Sequence, residues 1–144
     1  MLRFNIHLLP DRLCLGTAWA QERDDVGALP LGYFGASTGA AAALIAAAEE
    51  GAAVRAVVSR GGRPDLAANA LPRVDAPTLL IVGGQDAAVI KLNQSAFARL
   101  QAKKRLEIVP GAGHLFEEPG ALETVAELAG AWFVEHLPAP SEST

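Results

Sequence analysis

The sequence predicts an α/β fold, a three-layer sandwich around a mostly parallel sheet. Three observations carry that reading. Short apolar runs rich in Val, Ile and Leu recur at 31–34, 54–58, 78–82 and 106–109, too short for helices and nearly continuous, as strands buried on both faces are. Helical patterns fill most of the intervals between them, the alternation that builds βαβ units. The 144 residues are 51% hydrophobic and 19% charged, enough apolar material for one packed core and far from a disordered composition.

Taken in order, the chain begins with a helical pattern disturbed by Pro10, and a regular helix is expected over about 10–23 with Leu13, Trp19 and Ala20 turned inward. The strand at 31–34 follows, then a helix over 38–50 made largely of alanine. Alanine is the strongest helix former and keeps a helix slim, so this one is expected to pack closely while burying little area per residue. After the strand at 54–58, the stretch "GGRPDLAANALPRVDAP" at 61–77 reads as loop with a short helix near 66–70. The strand at 78–82, a helix over about 89–102 and the strand at 106–109 come next. A last helix over 120–136 places Leu122, Val125, Ala126, Leu128, Ala129, Trp132 and Phe133 close to helical spacing, with Glu123 and Glu127 opposite. Pro119 suits its first turn. Residues 1–137 are expected to form a single domain and 138–144 a tail, with no internal repeat.

Several function classes are excluded on composition. The net charge of −4, with scattered arginines and glutamates, provides no basic stripe for nucleic acid. The alanine run at 40–48, closed by Glu49 and Glu50, falls short of the ~20 apolar residues of a membrane span. Cys14 is the one cysteine, which forbids an internal disulfide, suits a reducing compartment and reads as a small apolar residue. Arg3, Asn5 and His7 interrupt the apolar residues at the start and Pro10 ends them, so no signal peptide is expected and the reading is cytoplasmic. No histidine or cysteine cluster suggests a metal, and no cofactor is expected. His7 and His136 read as surface or helix-end residues.

In sheets of this kind ligands meet the carboxyl ends of the strands. The first strand is followed by Gly35-Ala36-Ser37-Thr38-Gly39, the third by Gly83-Gly84-Gln85-Asp86 and the fourth by Pro110-Gly111-Ala112-Gly113-His114. A serine, an aspartate and a histidine therefore arrive at one edge, in that order. G-x-S-x-G is the nucleophile elbow, a strained turn whose glycines avoid collision with neighbouring backbone. The following helix points its positive end at the site, and the N–H of Thr38 can donate to an oxyanion. Locally, Ser37 serves equally well as a helix N-cap and Asp86 as an ordinary turn residue. His114 sits in a glycine-rich loop, off any periodic apolar face, and so does not read as a core histidine. Arg60 and Arg63 follow the second strand among glycines, where they can hold an anionic substrate group or stand as solvated loop arginines. Glu117 and Glu118 most simply favour the start of the last helix.

Ser37 in "GASTG", Asp86 in "LLIVGGQD" and His114 in "IVPGAGHLFEEP" resemble the α/β-hydrolase superfamily in chain order. "VVSRGGRPDLA" and "GHLFEEPGALE" are similar to its dienelactone-hydrolase-like branch, including hydrolase domains fused to phosphoribosyltransferases. The resemblance runs over about 31–137. It implies Ser37 as nucleophile, His114 as general base and then acid, and Asp86 as the group orienting the imidazole. Dienelactone hydrolases carry cysteine at the elbow; serine stands there in this chain, so a lactone substrate is not implied.

The resemblance also implies strands ahead of the nucleophile strand and a loop supplying the second oxyanion donor. One helix precedes that strand here, so a truncated α/β-hydrolase fold is expected, lacking half of the oxyanion hole. The leading functional expectation is a serine hydrolase cleaving an ester or similar acyl bond of a small molecule through an acyl-serine intermediate. The alternative is a catalytically impaired module that binds a partner or serves a structural role. A nucleotide-binding domain fits poorly, because Gly32, Gly35 and Gly39 do not form G-x-G-x-x-G and no phosphate-loop lysine is present. With the earlier strands gone, the strand at 31–34 becomes a sheet edge, where a homodimer or a complementing chain is expected to pair.

Overall fold

The protein is described by a computed structural model, and the described residues are 31–137. The expected helix over 10–23, with His7 and Cys14, and the tail 138–144 lie outside them. Four strands, β1 (Leu31–Ala36), β2 (Val54–Arg60), β3 (Thr78–Gly83) and β4 (Lys104–Val109), form one sheet in the order β1-β2-β3-β4. Every neighbouring pair is parallel. Among the described residues β1 stands at one edge, the edge at which the sequence predicts a second copy or complementing chain.

Alternation along the central strands sorts side chains onto two faces. Val57 and Leu80 face one core with Tyr33, Leu44, Leu71 and Leu100. Val58, Leu79 and Ile81 face the other with Phe116, Val125 and Trp132. Helices α1 (Thr38–Glu50) and α2 (Ala87–Arg99) cover the first face and α3 (Ala121–His136) the second. The result is the three-layer sandwich predicted from the sequence. All six residues of β3 are buried, which explains their unbroken apolar run. No helix among the described residues is long and apolar enough to cross a membrane.

α1 has the predicted bounds. Alanine sustains it, and Gly51 at φ 56 ends it in a conformation costly for other residues. Its slimness is used where it meets β1. A Cβ on Gly35 would lie 2.6 Å from Gly39 O and 2.7 Å from Ala40 Cα, so only glycine lets the helix start so close to the strand. Gly39 differs from the sequence expectation: a Cβ there would meet no described atom within 4 Å. Of the two flanking glycines, crowding accounts for Gly35 alone.

The 61–77 stretch holds two short 3₁₀ turns, Pro64–Ala67 and Leu71–Arg73, in place of one helix near 66–70. Pro72 removes a backbone donor and so breaks helical continuity there. α2 runs Ala87–Arg99 and ends sooner than the pattern suggested. Lys104 Nζ donates to the carbonyls of Phe97 and Leu100, satisfying acceptors released at that end. Pro119 lies outside α3, because Gly120 at φ 82 precedes the first helical residue.

Candidate active site

Ser37, Asp86 and His114 each lie in the turn or loop that follows a strand, after β1, β3 and β4, whereas Arg60, expected beyond the second strand, is the last residue of β2. Ser37 follows β1 at φ 50 and ψ −127, outside the conformations a residue with a Cβ ordinarily adopts. Its side chain makes no capping bond to α1, so the N-cap alternative is not realised. Its carbonyl accepts from the N–H groups of Ala40 at 3.2 Å and Arg63 at 3.0 Å, which pins the turn from two sides.

Asp86 precedes α2 and likewise makes no side-chain cap bond. Its Oδ2 lies 2.9 Å from His114 Nδ1, and His114 Nε2 lies 3.2 Å from Ser37 Oγ. The turn carrying Asp86 is stitched to the loop carrying His114 by Gly84 N–H to Val109 O at 2.8 Å and Gln85 N–H to Ala112 O at 2.9 Å. Three residues far apart in sequence thus form one continuous hydrogen-bonded row. The His114 side chain is 41% exposed and that of Asp86 18%, so the row opens toward solvent at the histidine and closes at the carboxylate.

Thr38 is the first residue of α1, and its N–H belongs to the opening turn, where donors have no intrahelical acceptor. Arg60 ends β2, in register with Ala36 immediately before the serine. Its guanidinium carbon lies 5.6 Å from the centre of the Phe116 ring. Arg60 Nε is buried and has no hydrogen-bond partner among the described residues. Arg63 is engaged differently. It donates Nε–H to Asp65 Oδ1 at 3.0 Å and Nη2–H to Asp65 Oδ2 at 2.9 Å. Those hydrogen bonds, with the carboxylate's charge in support and burial opposing, raise the Arg63 guanidinium above its ordinary value.

Two supports of the site carry no signal in the sequence reading. Phe116, fully buried, stands at φ 55 in the histidine loop, strain of the kind that collects near functional turns. Glu118 Oε1 accepts from Gly113 N–H at 3.0 Å, one residue before His114. Its carboxylate therefore braces the histidine loop, where a helix-start role was the sequence expectation. His136 ends α3 as expected, yet its side chain is only 10% exposed and its ring centre lies 4.3 Å from that of Trp132. Among the described residues no group of His, Cys, Asp and Glu side chains could hold a metal ion.

These features accompany clear relationships to known proteins. A dienelactone hydrolase from Anabaena variabilis ATCC 29413 superposes with a TM-score of 0.93 at 60% identity, over 94% of this chain and 63% of that one. Two Mycobacterium tuberculosis proteins that carry a provisional phosphoribosyl transferase name are 59% identical over 140 residues, which is 97% of this chain and 32% of theirs. This chain therefore spans about a third of those curated relatives, at 32% of their length. Acetyl xylan esterase 1 from Thermoanaerobacterium sp. JW/SL YS485 shares the fold at a TM-score of 0.70 and 20% identity, over 86% of this chain and 51% of that one. The profile of the dienelactone hydrolase family matches residues 9–133, most of the sequence, and the chain belongs to that family.

Proposed function

We propose that the protein is a serine hydrolase that cleaves an ester or related acyl bond through an acyl-serine intermediate. The observation that carries this reading is the row Ser37 Oγ–His114 Nε2–His114 Nδ1–Asp86 Oδ2, at 3.2 and 2.9 Å. With the proton on Nδ1 donated to Asp86, Nε2 is left to accept from the serine hydroxyl. Ser37 Oγ then attacks the acyl carbon while its proton passes to Nε2. The developing imidazolium is stabilised by the Asp86 carboxylate. Negative charge on the carbonyl oxygen is met by the N–H of Thr38 and the positive end of α1.

Collapse of this intermediate breaks the bond to the leaving oxygen, which takes the proton from Nε2. Water then attacks the acyl-serine, again giving a proton to His114, and the carboxylic acid leaves as Ser37 Oγ recovers its hydrogen. The strained Ser37 turn supports the same reading. It holds the hydroxyl clear of the helix, where a capping serine would have turned it inward. Of the two arginines, Arg60 is the one assigned to an anionic part of the substrate, since Arg63 is already held by Asp65.

Family membership and a 60% identical protein named a dienelactone hydrolase support hydrolytic chemistry. Serine at the elbow argues for simple acyl esters over a dienelactone. The transferase name belongs to proteins of which this chain spans 32%, and it is not carried over. Steady-state hydrolysis of activated aryl esters tests the reading. Turnover lost in Ser37→Ala supports it, whereas turnover unchanged in that variant removes Ser37 as nucleophile. A folded wild-type chain with no turnover would favour the non-catalytic module.

A further inference from the structure

Asn93 lies on α2, the helix headed by Asp86, and is fully buried. A buried amide that is left unbonded is costly, so its contacts are informative. Asn93 Nδ2 donates to Val89 O at 2.9 Å, a bond within its own helix, and to Gly62 O at 3.1 Å, across to the turn after β2. Oδ1 has no partner among the described residues. The outward bond is what a solvent-facing helical asparagine would lack.

The acceptor of that bond belongs to the peptide unit joining Gly62 to Arg63. The N–H of the same unit donates to Ser37 O at 3.0 Å. One peptide plane is therefore gripped on both sides, by an amide from the helix of Asp86 and by the carbonyl of Ser37. Bonds in such a chain polarise one another and strengthen together. The turn is also sterically fitted to the site, since a Cβ on Gly62 would lie 2.2 Å from Ser59 Oγ and 2.4 Å from Ala40 Cβ. Ser37 needs such support. Its backbone at φ 50 is of the strained kind that persists only where surrounding structure holds it.

We propose that Asn93 is a positioning residue for the nucleophile, acting through the 62–63 peptide on the carbonyl of Ser37 and tying the aspartate's helix to the serine's turn. The proposal rests on the serine-hydrolase reading of the site. Asn93→Leu removes both donated N–H bonds while keeping the branched heavy-atom outline of the side chain, its methyl groups being larger than the amide they replace. In the folded variant, kcat and the rate of fluorophosphonate labelling of Ser37 fall roughly 10- to 100-fold, the scale of a displaced reacting group, while KM and the shape of the pH profile stay as in the wild type. An unchanged kcat and labelling rate in a folded Asn93→Leu protein would overturn the proposal. Ser37→Ala run alongside separates the two claims: activity that survives it sinks the hydrolase reading, whereas activity that it abolishes and Asn93→Leu spares sinks only the positioning role. Amide hydrogen exchange on the wild-type protein needs neither activity nor a folding variant. Arg63 N–H is expected to be protected like the strand amides, and exchange at the rate of an open loop would contradict the proposal.

Discussion

His114 Nδ1 lies 2.9 Å from Asp86 Oδ2, while Asp86, standing at the head of α2, leaves that helix without a side-chain cap. The carboxylate thus gives up its commonest local bond for one 28 residues away in sequence. That choice predicts the behaviour of Asp86→Asn. The amide matches the carboxylate in shape but lacks its charge, and it can hold the imidazole in the wrong tautomer. We expect kcat to fall by up to ~10⁴ with KM little changed, as for the equivalent change in a serine protease. Steady-state kinetics checks this, and an Asn variant with wild-type kcat would contradict the role.

The two glycines of the elbow should respond in opposite directions. Gly35→Ala drives a Cβ to 2.6 Å from Gly39 O and 2.8 Å from Ala40 N, and backbone must move to admit it. Overpacking of this kind costs about 1–3 kcal/mol. Gly39→Ala meets no described atom and lies within α1, where alanine is favoured over glycine by up to ~1 kcal/mol. Urea denaturation of both variants is expected to show a lowered midpoint for the first and an unchanged or raised midpoint for the second. A reversal would mean that the elbow is spaced differently.

The sequence made the row legible because each member follows a strand, and strand ends of a parallel sheet converge on one edge. Ser37, Asp86 and His114 could be aligned without knowing any contact. Strand limits were harder to read. β1 continues through Gly35 and Ala36, and β4 begins at Lys104 and Arg105, residues that carry little apolar signal. Asn93 and Glu118 were illegible for another reason. Asn93 sits in the stretch "KLNQS" and looks solvent-facing, yet it is buried, with its amide bonded to Gly62 O across from α2. Glu118 precedes a helix, and nothing local reveals that the histidine loop folds back onto it.

Arg60 and Arg63 illustrate the same limit, and they separate by experiment. Arg63 is satisfied by Asp65, whereas Arg60 is held by the Phe116 ring with Nε unpartnered among the described residues. Arg60→Ala is expected to raise KM for an aryl ester with a carboxylate on its acyl part by roughly 10- to 100-fold, the scale of one charged hydrogen bond. KM for a neutral ester of similar size should stay unchanged. Equal effects on both esters would remove Arg60 from anion recognition.

Activation of Ser37 by His114 is read by covalent labelling. The wild-type protein is incubated with a fluorophosphonate, and the modified peptide is located by mass spectrometry. The expected result is a single adduct on Ser37, absent in Ser37→Ala and formed far more slowly in His114→Ala. An adduct on another residue, or labelling of Ser37 at the same rate without His114, would rule out Ser37 as a nucleophile activated by His114.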